Sequence, residues 1–235
     1  MSAYRFCRTD DIGLLVDALN RCWHPYVPGE PPVSAATFKR AIRDLQVWCS
    51  SCMVAFAGAE PIAVLIGAKR PSATLIHRIA VHPAHVRQGH GRHLLESLSS
   101  KLAILGPPRI VAEVPEALTE CASLFRATGY VQEAVLTDYV LPGEEAGLDL
   151  RQRGLAAGIE GMLIPVTVDD LEANGLLGAG PPQSGWERSA ESLVARKDEI
   201  AGVAVASEER IEAYLLYIEA AGTILSLRGV LLPFG

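Results

Sequence analysis

No apolar run in this chain approaches the roughly 18 residues needed to cross a bilayer. The longest lies near Ile62 to Ala68. The stretch Met1 to Asp11 lacks the basic-then-apolar pattern of a secretion signal. Cysteine is scarce and odd in number, five residues scattered through a chain of 235. That argues against a disulfide framework and for reduced thiols in a cytoplasmic setting. A basic excess is also missing: 21 Lys and Arg against 27 Asp and Glu leave a net charge of −6. This composition suits neither a general nucleic-acid binder nor a membrane protein. What is present, 49% apolar and 20% charged residues, fits a globular protein with an ample core, built as one large domain or two small ones.

The order of elements reads as α+β. Ala3 to Cys7 is a short strand. Asp10-Asp11 can cap a helix running to Trp23, with Leu14, Leu15, Ala18 and Leu19 inward. His24 to Pro32 is a turn-rich loop, and Ser34 can cap a second helix presenting Phe38, Ala41, Ile42 and Leu45. Met53 to Ala57, Ile62 to Ile66 and Thr74 to Val81 are three apolar runs parted by turn residues, as in an antiparallel meander. A helix with Leu95, Leu98, Leu102 and Leu105 follows, ended by Gly106-Pro107-Pro108. Then come a strand over Ile110 to Val114, a helix over Ala117 to Thr128 closed by Gly129, and a final strand over Val131 to Leu141. Pro142 to Gly158, polar and acidic, reads as linker.

Between the third run of the meander and the leucine helix lies the segment richest in chemistry, Val81-His-Pro-Ala-His-Val-Arg-Gln-Gly-His-Gly-Arg92. A strand passes into a basic stretch with two glycines one residue apart, and a helix starts at once. Backbone N–H groups and the positive end of a helix gather there, which suits a phosphate group. Arg87, Arg92 and the neighbouring histidines add charge, and the local scale of the patch favours a small anionic ligand over a polyanion.

Two other motifs fit less well. Trp48-Cys49-Ser-Ser-Cys52 resembles a redox Cys-x-x-C, but such a motif should open a helix and here an apolar strand follows. Five of the six histidines fall between His77 and His93. No cysteine or acidic ligand lies among them, so no metal site is expected.

A shift of 149 residues lays the first meander over a second near the C-terminus. Val54, Ala55, Ala57, Glu60, Ile62, Thr74 and Val81 meet Val203, Ala204, Ala206, Glu209, Ile211, Thr223 and Val230. Asp10-Asp11-Ile12 likewise meets Asp169-Asp170-Leu171. The expected organisation is a complete unit over 1–142, a linker over 143–158, and a partial repeat over 159–235 without the glycine loop. The strand edges of the partial repeat need covering, by the first unit or by a second copy in a homodimer.

The succession strand, helix, helix, three-strand meander, glycine loop, helix, strand, helix, strand resembles the GNAT N-acetyltransferase family. Ala80-Val81-His82-Pro83, Gln88-Gly89-His90-Gly91-Arg92 and Leu94-Leu95 resemble its acetyl-CoA loop, and Leu124 to Tyr130 resembles its late helix ending in Gly-Phe or Gly-Tyr. The resemblance covers about residues 3 to 141, and the C-terminal part resembles a degenerate copy of the front half. It implies acetyl or acyl transfer from acetyl-CoA to an amine, on a small molecule or a protein, by direct attack in a ternary complex. It places the diphosphate on the amides between Val86 and Arg92 and the pantetheine arm along Ile79, Ala80 and Val81. The N–H of Val81 would donate to the thioester oxygen. Two positions depart from the pattern. Val86 stands where Arg or Gln is usual, and Phe125 stands, next to the cofactor, where many members carry a tyrosine.

An attacking amine needs a proton acceptor. Glu113, flanked by apolar residues in Val111-Ala-Glu-Val114, is one candidate, and its alternative roles are a solvent-facing carboxylate or a partner of Arg78. His77 is the other, or it simply fills a half-buried strand position. Trp23, His24 and Tyr26 lie in the segment that the resemblance sets beside the acceptor, as pocket walls or as lid packing. A GNAT-like domain without that tyrosine also admits a non-enzymatic reading, as an acyl-CoA sensor or interaction module.

Overall fold

The computed structural model describes residues 2–137, 162–177, 185–207, 210–220 and 223–231. The chain divides into two units, Met1–Glu133 and Ala134–Gly235.

In the first unit, β1 (Ser2–Phe6), β2 (Met53–Ala57), β3 (Glu60–Lys69), β4 (Thr74–Val81) and β5 (Ile110–Ala112) form one sheet in that order. The first four strands are antiparallel, and β5 runs parallel to β4. Helices α1 (Ile12–Cys22) and α2 (Ala35–Leu45) precede the meander, α3 (His90–Leu105) joins β4 to β5, and α4 (Thr119–Ala127) follows. The α+β reading holds.

Local chemistry explains most boundaries. Ser34 caps α2, accepting the Thr37 N–H at 3.0 Å. Gly129, at φ +89°, closes α4 while the N–H of Tyr130 reaches back to the carbonyl of Phe125. Helix α3 buries Leu94, Leu95, Leu98 and Leu102 against Met53, Ala55, Ala63, Leu65 and Ile76 of the sheet. That core fixes where the start of α3 lies.

The structure corrects several expectations. Asp11 does not cap α1 with its side chain. Its carboxylate instead takes both terminal nitrogens of Arg5 at 2.8 Å and the N–H of Arg8 at 2.7 Å. In α2, Ala41 and Ile42 are only half-buried, while Asp44 joins Phe38 and Leu45 inside. Leu105 is 70% exposed, so the buried stripe of α3 ends at Leu102. The strand expected over Val131 to Leu141 is not formed at 131–137, which is exposed and pairs with no neighbouring strand. Residues 138–141 and the expected linker lie outside the described residues.

The Arg5–Asp11 pair carries a pH signature. Its hydrogen bonds hold the Asp11 carboxyl down to about 2, below the ordinary 3.8. A depressed carboxyl contributes stability that is complete above the unfolded value and disappears as pH falls through the folded one. We expect the thermal midpoint of the wild type to fall more steeply between pH 4 and pH 2 than that of Asp11→Asn. Parallel melting curves in that window would contradict this.

The second unit begins with β6 (Met162–Pro165) and two short helices, α5 (Val168–Ala173) and α6 (Ala190–Ala195). β7 (Ala201–Ala206), β8 (Ile211–Ala220) and β9 (Thr223–Leu231) follow, giving an antiparallel sheet in the order β6-β7-β8-β9. Thr167 and Asp170 close a capping box at the start of α5. Val166, Val168, Leu171, Leu193, Ala204, Tyr214 and Leu216 form the core. Strand, two helices, three strands is also the order from β1 to β4.

Candidate functional site

The site is built by one extra residue. In the β3–β4 ladder Ile66 faces Arg78 and Gly67 faces Ile76, so His77 is a bulge. Before it, the N–H of Thr74 points toward β5, reaching the carbonyl of Arg109 at 2.9 Å. After it, the N–H of His82 points the other way, to Ile62 on β3 at 2.8 Å. Backbone groups alternate along a strand. The bulge therefore turns the N–H and C=O of Ile79 and Val81 to the side away from β3, and those of Arg78 and Ala80 toward it. On that outer side β5 has already ended, its last pair being Ile76 with Ala112. Among the described residues no strand pairs with β4 beyond that point, so it presents an open edge at Ile79 and Val81 that suits an extended polar chain.

The glycine loop stands at the end of this edge. Arg87 and Gly89 both adopt left-handed backbone, at φ 62° and 87°. Gly89 is the N-cap of α3, and nothing lies within 4 Å of where a Cβ would project from it. The first turn of α3 leaves the N–H groups of His90, Gly91 and Arg92 without intrahelical acceptors. A cradle of this kind accepts an anion. Gly91 serves a different need: a Cβ there would sit 3.0 Å from Leu124, so its absence lets α3 and α4 pack. Val86, Arg87, Gln88 and Arg92 are exposed around the cradle.

The side chains of Phe125 and His90, both expected at the cofactor site, are engaged within the protein. Phe125 is 6% exposed and packs edge-on to Tyr130, with centroids 5.1 Å apart, so it is a core residue. His90 turns its ring inward, its Nδ1 lying 2.6 Å from the hydroxyl of Tyr4. Its contribution to the cradle is confined to the backbone. Tyr4 also stacks on His93, with centroids 3.9 Å apart. Nothing in the spacing of a β1 tyrosine and a loop histidine announces this set.

On the other face of β4, the guanidinium of Arg78 lies 5.2 Å over the Trp23 ring. His77 is partly enclosed next to Arg78; burial, then the Arg78 charge, pushes its pKa down to about 4. It is therefore neutral at pH 7, and the same burial and charge disfavour its protonated form. Glu113 is exposed one residue past β5, so the apolar enclosure expected for it is not there. Trp23 and His24 are half-buried, whereas Tyr26 is 52% exposed. The Tyr26 hydroxyl donates to the Val81 carbonyl at 2.7 Å. Asn20, missed in the sequence, clamps the loop by exchanging two hydrogen bonds with the backbone of Val33, at 2.9 and 2.8 Å.

Among the described residues no group of three or more His, Cys, Asp and Glu is placed to hold a metal, and all five cysteines are free. Cys49 to Ser51 form a single 3-10 turn leading into β2. No described helix is long and apolar enough to cross a membrane.

Residues 15–130 match the family model "Acetyltransferase (GNAT) family". The domain belongs to the GNAT acetyltransferases. Solved structures show the same fold. An aminoglycoside acetyltransferase from an uncultured soil metagenomic sample, in complex with sisomicin, is 12% identical, with a TM-score of 0.51 over 60% of this chain and 96% of its own. The same protein in complex with trehalose aligns at 13% identity and a TM-score of 0.50, with the same coverage. The ribosomal-protein-S18-alanine N-acetyltransferase from Escherichia coli is 21% identical, with a TM-score of 0.48 over 61% of this chain and 86% of its own. At these identities the likeness is one of fold. No curated protein matches the sequence.

Proposed function

We propose that the first unit moves an acetyl or acyl group from acetyl-CoA to an amine by direct attack in a ternary complex. The observation that supports this most is the open β4 edge, made by the His77 bulge, ending at the Gly89 cradle. The residues present fit the cofactor. The amides between Val86 and Arg92 suit its diphosphate, with Arg87 and Arg92 at the rim. Ile79 and Val81 suit an arm that bonds like a strand, while Ala80 keeps its backbone toward β3. Acetyl-CoA supplies an acyl group activated as a thioester. The outward N–H groups of Ile79 and Val81 are placed to stabilise negative charge on a carbonyl oxygen. His77, neutral at working pH, takes the proton of the amine directly or through water, with Glu113 across the gap as the alternative acceptor. Trp23, His24 and Tyr26 line the acceptor side.

The second unit is, on this reading, a truncated copy of the front of the fold without a cofactor loop. Its sheet edges suit packing or homodimer formation.

A second reading, an acyl-CoA sensor, draws on Phe125, which sets a buried ring where many family members place a hydroxyl. Calorimetry with acetyl-CoA, paired with free-thiol release over a panel of small-molecule and peptide amines, separates the two. The enzyme reading expects binding together with amine-dependent thiol release. Binding without release on any amine favours the sensor, and absence of binding removes both.

A further inference from the structure

The open edge of β4 is already touched by one side chain. Tyr26 sends its hydroxyl to the Val81 carbonyl at 2.7 Å, on the outer side of the strand where no neighbour pairs. Burial, and then the proximity of Cys22 on α1 and Glu120 on α4, raises the pKa of Tyr26. The hydroxyl therefore stays protonated and remains a donor at neutral pH. The hydrogen bond itself places the hydroxyl at the edge of β4.

The loop that carries Tyr26 is held at both ends. The N–H of Trp23 continues α1 to Leu19, and Asn20 clamps Val33. Within it, Tyr26 and Val27 donate their N–H groups to Trp23 and His24 in a tight turn. Four prolines, at 25, 28, 31 and 32, stiffen the remainder. The ring itself is 52% exposed. Rotation about the side-chain bonds therefore frees the hydroxyl without refolding the loop.

We propose that Tyr26 is a strap that occupies the β4 edge in the absence of ligand and is displaced when an acyl-CoA arm takes its place. The inference rests on the acyltransferase reading. A hydroxyl on Val81 stands where an amide N–H of an extended ligand would donate, and one carbonyl lone pair in that direction does not serve both. Cofactor entry thus releases the Tyr26 hydroxyl from Val81.

The test is calorimetric titration of acetyl-CoA into the full chain and into Tyr26→Phe, which keeps the ring and removes only the competing donor. The expected result is affinity for acetyl-CoA about two- to tenfold tighter in the variant, the size of one modest hydrogen bond. Wild-type binding with the variant unchanged or weaker overturns the strap and leaves the acyltransferase reading standing. No binding by either protein overturns both.

Discussion

Gly89→Glu is expected to abolish acetyl-CoA binding in a chain that still folds. Two effects act together at this position. Gly89 sits at φ 87°, where any L side chain is strained by about 1–2 kcal/mol. Its missing Cβ faces open space rather than protein, so a glutamate enters the cradle without clashing. A carboxylate then stands where the proposed function sets the diphosphate. Like charges about 4 Å apart repel by roughly 4 kcal/mol at a surface-like dielectric, enough to lower affinity more than about 100-fold. Gly89→Asn separates the two effects, since asparagine tolerates left-handed backbone and brings no charge. We expect Asn to retain most of the affinity and Glu to lose it, with far-ultraviolet circular dichroism unchanged in both. Equal affinity of Gly89→Glu and wild type in calorimetry would remove the cradle from the site.

Leu98→Ala should produce the largest loss of stability among single core truncations of the first unit. Leu98 is fully buried at the middle of α3, between Leu94 and Leu102, in the core cluster that includes the sheet residues Ala55 and Leu65. Neighbours on a helix and a five-stranded sheet collapse poorly into the space left behind. Leu→Ala at such sites costs about 2–5 kcal/mol, transfer and cavity terms together. Urea unfolding followed by a probe in the first unit should show a midpoint displaced accordingly. Because α3 carries the cradle at its N-terminus, acetyl-CoA should raise the variant's midpoint again by mass action. A loss below about 1 kcal/mol would mean that α3 rests on the sheet less tightly than its burial implies.

The elements legible in the sequence are those fixed by local rules. Ser34 declared a cap, Gly129 a helix end, and the leucines of α3 a buried stripe. The Gly89 loop was recognisable because a strand, paired glycines and a helix follow without interruption. What the sequence hid depends on contacts that those rules do not contain. Asp11 looks like a cap, yet its carboxylate takes Arg5, six residues back in β1. Glu113 looks enclosed by Val111 and Val114, yet β5 ends before it and leaves it exposed. Phe125 and His90 fall within family motifs, but the first packs on Tyr130 and the second reaches Tyr4, 86 residues away in sequence. The hydroxyl of Tyr26 finds Val81 across 55 residues, a contact no spacing rule contains.

The irregularity at His77 makes the count of residues in β4 more important than their identity. Removing that one residue would leave Arg78 opposite Ile66 and Ile76 opposite Gly67, so the amides of Ile79 and Val81 would keep facing away from β3 while the extra twist that the bulge gives β4 was lost. The side chain at this point is therefore open to evolutionary exchange so long as the extra residue itself is kept.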